Sequence, residues 1–376
     1  MANSMALWYE RWRTTASDGS AAEVEVHLNL WRHIGKCRLE SNFLDVGLLL
    51  SNTYEIGRVC LFLPTKVTRN SVKDLSKQLC DDTLLSAVFN DVIKVGSVHE
   101  CGGYTTTRRA KHYLNFHSAT PNRDFVLTDV NGSGDNGGTL LEFSSEFCRK
   151  LHQPGLHYVR LRFTLDESGA RDFSIKREGW SDLITSSVLS EEFTELRFSE
   201  VRNLPFKIAQ RMGGEDAYVF NVTSVHCFLI RDTSFELVAS HALMHKMRRM
   251  EENLWNGYLP PSVPQSDLRK MIVYHWRSIS EAGSSGIESF VALARFRRLR
   301  DTILWYVAGI ILLGALGSGA EGMLANYFAD KNQGTSGDAP AFGILVCVLV
   351  VLPFILWVSR QCCRLIRVAR QSHLRE

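Results

Sequence analysis

Two uncharged apolar runs near the C-terminus constrain this chain more than any other feature in it. Thr302 to Ala320 reads TILWYVAGIILLGALGSGA, and Ala341 to Val358 reads AFGILVCVLVVLPFILWV. At 1.5 Å of rise per residue, the first makes a helix of roughly 28 Å, close to the hydrocarbon thickness of a bilayer. A helix at a protein surface keeps a polar stripe, and neither run has one. The pattern therefore predicts two transmembrane helices, 302–320 and 341–358, with Trp305, Tyr306 and Trp357 near the interfaces.

The flanking charges give an orientation. Arg295, Arg297, Arg298 and Arg300 precede the first run, and Arg360, Arg364, Arg367 and Arg370 follow the second. The positive-inside rule places both termini in the cytoplasm of a multi-pass inner-membrane protein, with only a short loop outside. Gly314, Ser318 and Gly322 recur every four residues, a small-residue face that packs helices closely, either within the hairpin or between chains. The lipid bilayer is one expected partner and a second copy of the chain another.

Residues 1–294 carry a net charge of −2, since ten Lys and Arg against five Asp and Glu from Arg295 onward leave +5 of the chain's +3 there. A near-neutral body is not the footprint of a dedicated nucleic-acid binder. Nine cysteines without a C-x-x-C pair read as reduced thiols. Met1 to Thr15 has no continuous apolar core of signal-peptide length.

Short alternating runs dominate the first 234 residues, among them EVEVHLNLW from Glu23, DVGLLLS from Asp45, EIGRVCLFLP from Glu55 and HYVRLRFTLD from His157. Each has strand length and β-branched or aromatic content. In the last, His157, Val159, Leu161, Phe163 and Leu165 face one way and Tyr158, Arg160, Arg162 and Thr164 the other, the pattern of a half-buried strand. With one helix expected near Ser71 to Asn90 and no regular strand–helix alternation, the fold class is a β-rich, α+β, sandwich-like domain over 1–234. Residues 235–300 read as a helical connector, made of helices from Leu237 to Trp255, Ser266 to Ile279 and Ile287 to Arg300. The hairpin fills 301–359, and a basic tail 360–376.

Chemical motifs are sparse. Gly132, Gly134 and Gly137 have G-x-G-x-x-G spacing, but TLLEF after them reads as a strand, so DVNGSGDNGG is a hairpin turn rather than a dinucleotide loop. His241 and His245 sit at the spacing of a helical metal pair but lack the adjacent glutamate of a zinc protease. His226 and Cys227 point to opposite sides of a strand. No catalytic residue, cofactor or metal site emerges, and the chain does not read as an enzyme. A candidate ligand patch comprises Tyr104, Arg108, Arg109, Lys111 and Tyr113, where aromatics alternate with cations as at nucleotide or nucleic-acid sites; the alternative is a charged strand edge.

A β-rich body, a helical connector and a two-helix hairpin from about Arg295 to Glu376 resemble, in domain order, the two-transmembrane effectors of bacterial antiphage systems, including those encoded beside retron reverse transcriptases or nucleotide-signalling genes. That resemblance implies an effector that perturbs the inner membrane and aborts infection when its body is triggered, with a reverse transcriptase or nucleotide-signalling partner. The competing expectations are a membrane-tethered adaptor for a cytoplasmic partner and a membrane-anchored enzyme.

Overall fold

The computed structural model describes residues 4–12, 21–32, 42–99, 102–131, 137–177, 189–261, 263, 268–281, 283, 285–299, 307, 309–315, 317–319 and 321–322. The chain divides into two compact units, Met1–Leu299 and Arg300–Glu376.

The first unit is built from three sheets. A five-stranded sheet has the order β14 (Ala217–Val219), β1 (Ala6–Arg11), β4 (Ile56–Leu63), β10 (Gly138–Phe143), β9 (Phe125–Val130). A ten-stranded sheet runs β17 (Lys246–Arg249), β18 (Met271–Ile279), β15 (Asn221–Asp232), β2 (Glu23–Trp31), β3 (Phe43–Ser51), β11 (Leu156–Thr164), β8 (Lys111–Phe116), β7 (Tyr104–Arg108), β6 (Ile93–Val98), with β5 (Val72–Asp74) on β11 as well. A four-stranded sheet orders β12 (Ser174–Lys176), β13 (Leu189–Phe198), β19 (Phe290–Leu299), β16 (Glu236–Ser240). Pairing is antiparallel except for β15 with β2 and β11 with β8.

Alternation decides the layers. In β2, Val24, Val26, Leu28 and Leu30 enter a core shared with Leu7 and Tyr9 of β1, Val59 and Leu61 of β4, and Phe290 and Phe296 of β19. Glu25, His27, Asn29 and Trp31 face the other way. That second face is also covered: Trp31, Phe43 and Tyr158 pack with α1 (Asp82–Phe89) and with Trp255, Tyr258 and Leu268 from the segment that holds the short α5 (Glu252–Trp255). Asp81 caps α1 by accepting from the Thr83 and Leu84 amides, and Asn90 ends it in the left-handed conformation at φ 53°. The short helices α2 (Ser145–Arg149) and α3 (Glu167–Arg171) join strands, while α4 (Phe206–Met212) sets Ile208 against the outer face of the five-stranded sheet.

The expected β-rich class and most of the named strands are present, but β11 is not half-buried. Arg160 and Arg162 are 1% and 2% exposed, on a face that the sequence pattern assigns to solvent. Their charge is managed by a buried network. Asp45 Oδ1 accepts from Arg162 Nε at 2.7 Å, and Oδ2 accepts from Arg162 Nη2 at 3.0 Å, Trp31 Nε1 at 2.9 Å and Tyr258 Oη at 2.7 Å. Arg162 Nη1 donates to the Tyr258 carbonyl at 3.1 Å. One carboxylate thus joins β2, β3, β11 and the cover segment. A second network, Arg32 and Arg231 on Glu192 at 2.6 and 2.8 Å, ties the ten-stranded to the four-stranded sheet.

Two expectations are corrected. Residues 235–300 are no helical connector: they supply β16, β17, β18 and β19, and among the described residues helix is confined to the four-residue α5 and Leu268. Ala and Leu at helical spacing suggest a helix in Ile287 to Arg300, but ten residues of β19 pair with β13, and that pairing outweighs a propensity preference of a few tenths of a kcal/mol per residue. The two-helix hairpin is also not seen, since among the described residues no helix is long and apolar enough to cross a membrane. The multi-pass inner-membrane placement loses its basis with it. In the first run the described helical residues are 307, 309–315 and 317–319, followed by 321–322. An uninterrupted apolar composition measures avoidance of water and does not by itself fix the length of a helix. The run 341–358 and the tail 360–376 lie outside the described residues.

Replacing Asp45 by Asn keeps the shape but strands the buried Arg162 charge, so the midpoint of denaturant unfolding is expected to fall by the equivalent of about 3–5 kcal/mol. A loss under about 1 kcal/mol would show that the network is not a structural anchor.

A pair of a buried and a half-buried histidine sets an acid limit. The His157 Nε2–H donates to the Gln153 carbonyl at 2.7 Å, so its Nδ1 accepts from His117 Nε2–H at 2.9 Å. Burial, then the neighbouring His157, drives the His117 pKa down to about 3, and burial lowers that of His157 against the pull of the Gln153 carbonyl. An unfolded histidine titrates near ~6.5, so below that pH the unfolded chain binds more protons. This stabilisation is complete above about pH 6.5 and lost progressively as pH falls towards about 3. Tm is therefore expected to drop between pH 7 and 4 with a shallower slope in His117→Gln, which keeps a donor; identical slopes would contradict the assignment.

Candidate metal centre

The covered outer face of the ten-stranded sheet gathers its polar residues by register. Parallel pairing sets His226 of β15 opposite His27 of β2, and Ser224 opposite Glu25. Antiparallel pairing sets His27 opposite Gly47 of β3, and Gly47 opposite Arg160 of β11. A cross-strand row therefore reads His226, His27, Gly47, Arg160. Side chains in such a row stand within reach of one another.

Gly47 is the position that lets the row communicate. A Cβ there would lie 2.2 Å from Tyr158 Oη, so only glycine leaves room for that hydroxyl to cross β3. Tyr158 Oη accepts from Arg160 Nη1 at 3.0 Å and contacts His27 Nδ1 at 3.0 Å. Arg160 has only donors to offer, so the single hydroxyl proton goes to His27 Nδ1. His27 then carries its own proton on Nε2, which donates to Glu25 Oε1 at 2.7 Å.

Glu25, His27 and His226 each present one ligand atom, all within 4.8 Å of one another. Glu25 Oε1 is 3.8 Å from His226 Nε2, a buried nitrogen with no hydrogen-bond partner among the described residues. The remaining polar atom of each residue is held from behind. Ser224 Oγ donates to Glu25 Oε2 at 2.6 Å, Tyr158 Oη meets His27 Nδ1, and His275 Nε2 lies 3.2 Å from His226 Nδ1. Outer partners of this kind orient imidazoles and carboxylates towards a metal.

The protonation states suit ligation. Burial raises the Glu25 pKa, but the His27 hydrogen bond and charge, the Ser224 hydroxyl and His226 outweigh it and bring it to about 2. Burial lowers His27 despite Glu25. Burial and then His27 bring His226 to about 4, while burial and then His226 bring His275 to about 3. Near neutral pH the cluster is one carboxylate with neutral imidazoles, the forms that bind metals. Glu25 is the more open edge, its side chain 28% exposed against 7% for His27.

The sequence-predicted residues lie elsewhere. Tyr104 is buried and stacks on Phe116 at 4.7 Å, whereas Arg108 pairs with Asp91 and lies over the half-buried Tyr113 ring at 5.4 Å. Arg109 and Ala110 form the turn between β7 and β8 with φ of 50° and 61°, and Lys111 follows it, exposed. The hairpin thus gathers the cations at its tip and sends Tyr104 into the core. Gly314, Ser318 and Gly322 are helical, and Ser318 Oγ donates to the Gly314 carbonyl at 3.1 Å. Gly132 and Gly134 lie outside the described residues, although β9 and β10 on either side do pair as a hairpin. His241 and His245 are not on a helix; His245 instead meets His275 edge-on at 5.0 Å.

Glu25 and His27 are the residues the motif reading misses. Their two-residue spacing puts them on one strand face, a signal present in EVEVHLNLW. His226 is 199 residues beyond His27 and comes to it only through parallel pairing.

No family model matches the chain, and no curated protein does. Among solved structures, the crystal structure of an M1 zinc metallopeptidase from Deinococcus radiodurans is similar at 11% identity, over 73% of this chain and 42% of that one, with a TM-score of 0.24. The chain spans less than half of that protein, and a likeness of this size carries no argument about fold or activity.

Gly47→Ala is expected to destabilise the protein by about 1–3 kcal/mol, because the new methyl must displace Tyr158. It should also release His27, read by NMR as an imidazole Nδ1 signal that changes while distant histidines keep theirs. An unchanged His27 signal would show that Tyr158 does not hold the ring.

Proposed function

We propose that the β-rich body binds a first-row divalent transition metal, zinc foremost, through Glu25, His27 and His226. The observation that carries this reading is the convergence of two imidazoles and one carboxylate, each held at its far side by Tyr158, His275 or Ser224. Two histidines and a glutamate make a donor set for zinc with a fourth position left for water or a substrate atom, and the same donors suit ferrous iron with open positions. Binding requires the His27 proton to move from Nε2 to Nδ1 and the Tyr158 hydroxyl to rotate its own proton away from Nδ1, so that Oη becomes the acceptor there. Arg160 remains bonded to that oxygen throughout, so the tautomer change needs no movement of the strand. Glu25 is the most exposed of the three, so the fourth position of a bound metal would be reached from its side. The chemistry supported is binding of a small oxygen or nitrogen donor at that position, with polarisation of that donor by the metal.

The reading as a defence effector drew on the C-terminal hairpin, and the body adds no observation in its favour.

Chelator-treated full-length protein titrated with zinc is expected to take up one metal per chain, and cobalt is expected to give visible absorption reporting a coordination number of four or five. His226→Ala and Glu25→Gln should abolish uptake at this site, and Tyr158→Phe should weaken it about 10–100-fold. Wild-type protein that takes up no metal, or uptake that survives both ligand substitutions, would sink the proposal.

A further inference from the structure

Beside His27 the outer face closes over a cavity of about 30 Å³, whose lining includes Arg160, Asn29, Trp31, Phe228 and Arg248. A water molecule needs at least about 10–15 Å³ by the same measure, so the space takes two waters or one ion of two or three heavy atoms. Arg160 is 1% exposed, and two of its guanidinium nitrogens, Nε and Nη2, have no hydrogen-bond partner among the described residues. Asn29 Oδ1 is likewise buried without one.

Charge distinguishes this site from an ordinary hydrated void. No ion pair reaches Arg160 among the described residues: its nearby carboxylate, Asp45, is taken by Arg162 Nε and Nη2, Trp31 and Tyr258. The cation–π contact with the Tyr258 ring, 5.6 Å away, offsets part of the charge but supplies no acceptor for either N–H. Burial raises the pKa of the Tyr158 phenol, so its Oη, the acceptor for Nη1, brings no charge. Arg248 at the same cavity is committed to Glu251, at 2.9 Å. Two buried guanidinium groups therefore share one carboxylate, and water supplies hydrogen bonds but no counter-charge. The Asn29 amide can turn either its oxygen or its NH2 towards the cavity, since the two orientations occupy the same space.

We propose that this cavity is a site for one small monovalent anion, of the size of chloride or formate, held by Arg160 Nε–H and Nη2–H and by the Asn29 amide NH2. A planar guanidinium fork matches a carboxylate or halide through two parallel N–H donors. The site is distinct from the metal ligands in its atoms and in the sign of what it binds, touching them only through Tyr158 and His27. Its test therefore runs on chelator-treated full-length protein, where a failure leaves the metal reading untouched.

At constant ionic strength, replacing gluconate, which is too large for the cavity, by chloride or by formate is expected to raise Tm saturably. The two anions in separate titrations distinguish a halide from a carboxylate. Crystals soaked in bromide should show an anomalous peak within hydrogen-bonding reach of Arg160 Nε and Nη2. Asn29→Asp, which supplies a carboxylate from the chain itself, should raise Tm in gluconate and remove the response to added anion. Tm that follows ionic strength alone with all three anions, or a bromide-soaked cavity holding only water, would overturn the proposal, and neither readout depends on a variant folding. A full chloride response retained by folded Asn29→Asp would also overturn it.

Discussion

The Asp45 carboxylate is the interaction on which the rest of the outer face depends. It lies on β3 with no exposure to solvent and receives donors from β2, β11 and the chain after α5. A buried carboxylate lowers its energy only when its lone pairs are filled in a fixed geometry, so the four donors position one another. Trp31 and Tyr258 contribute apolar bulk as well as a polar tip, closing the cover over the sheet while completing the network. The cover then keeps Arg160 and Tyr158 out of water.

From that anchor the register does the remaining work. Strands β2, β3 and β11 align so that Asn29, Asp45 and Arg162 form one cross-strand row, with Trp31 diagonal to Asp45, and His27, Gly47 and Arg160 form the next row one pleat along. Parallel addition of β15 brings His226 into the second of these rows. A one-residue slip at any of these pairings would turn the polar set into the sandwich core, which the apolar residues on the opposite face forbid. The metal cluster and the anion cavity therefore share one cause: a sheet buried on both faces, with one face carrying polar residues.

Much of the fold is legible in the chain. The alternation in EVEVHLNLW and HYVRLRFTLD identifies β2 and β11 and states which residues share a side. What it misassigns is the medium that side meets. Arg160 and Arg162 read as solvent-facing because arginine is rarely buried, and only the arrival of Tyr258 and Asp45, distant in sequence, makes their burial affordable. The same distance hides the candidate site, since Glu25 and His27 are visible as a pair on one face while His226 appears only as a neighbour of Cys227. Residues 235–300 mislead for another reason. Their Leu, Ala, Met and Arg content favours helix locally, and β18 and β19 are strands because β15 and β13 offer them nine or more residues of pairing.

The sequence by itself determined the strand-rich class of the body, the parity of side chains along β2 and β11, and the avoidance of water by the two C-terminal runs. Each of these is a property of a few consecutive residues, and short-range periodicity carries it. Only the tertiary structure decided that the polar side of the large sheet is covered, that His226 faces His27, and that Gly47 makes way for Tyr158. These depend on pairing and packing between segments far apart in the chain, whose free energy is set by contacts that no local window contains.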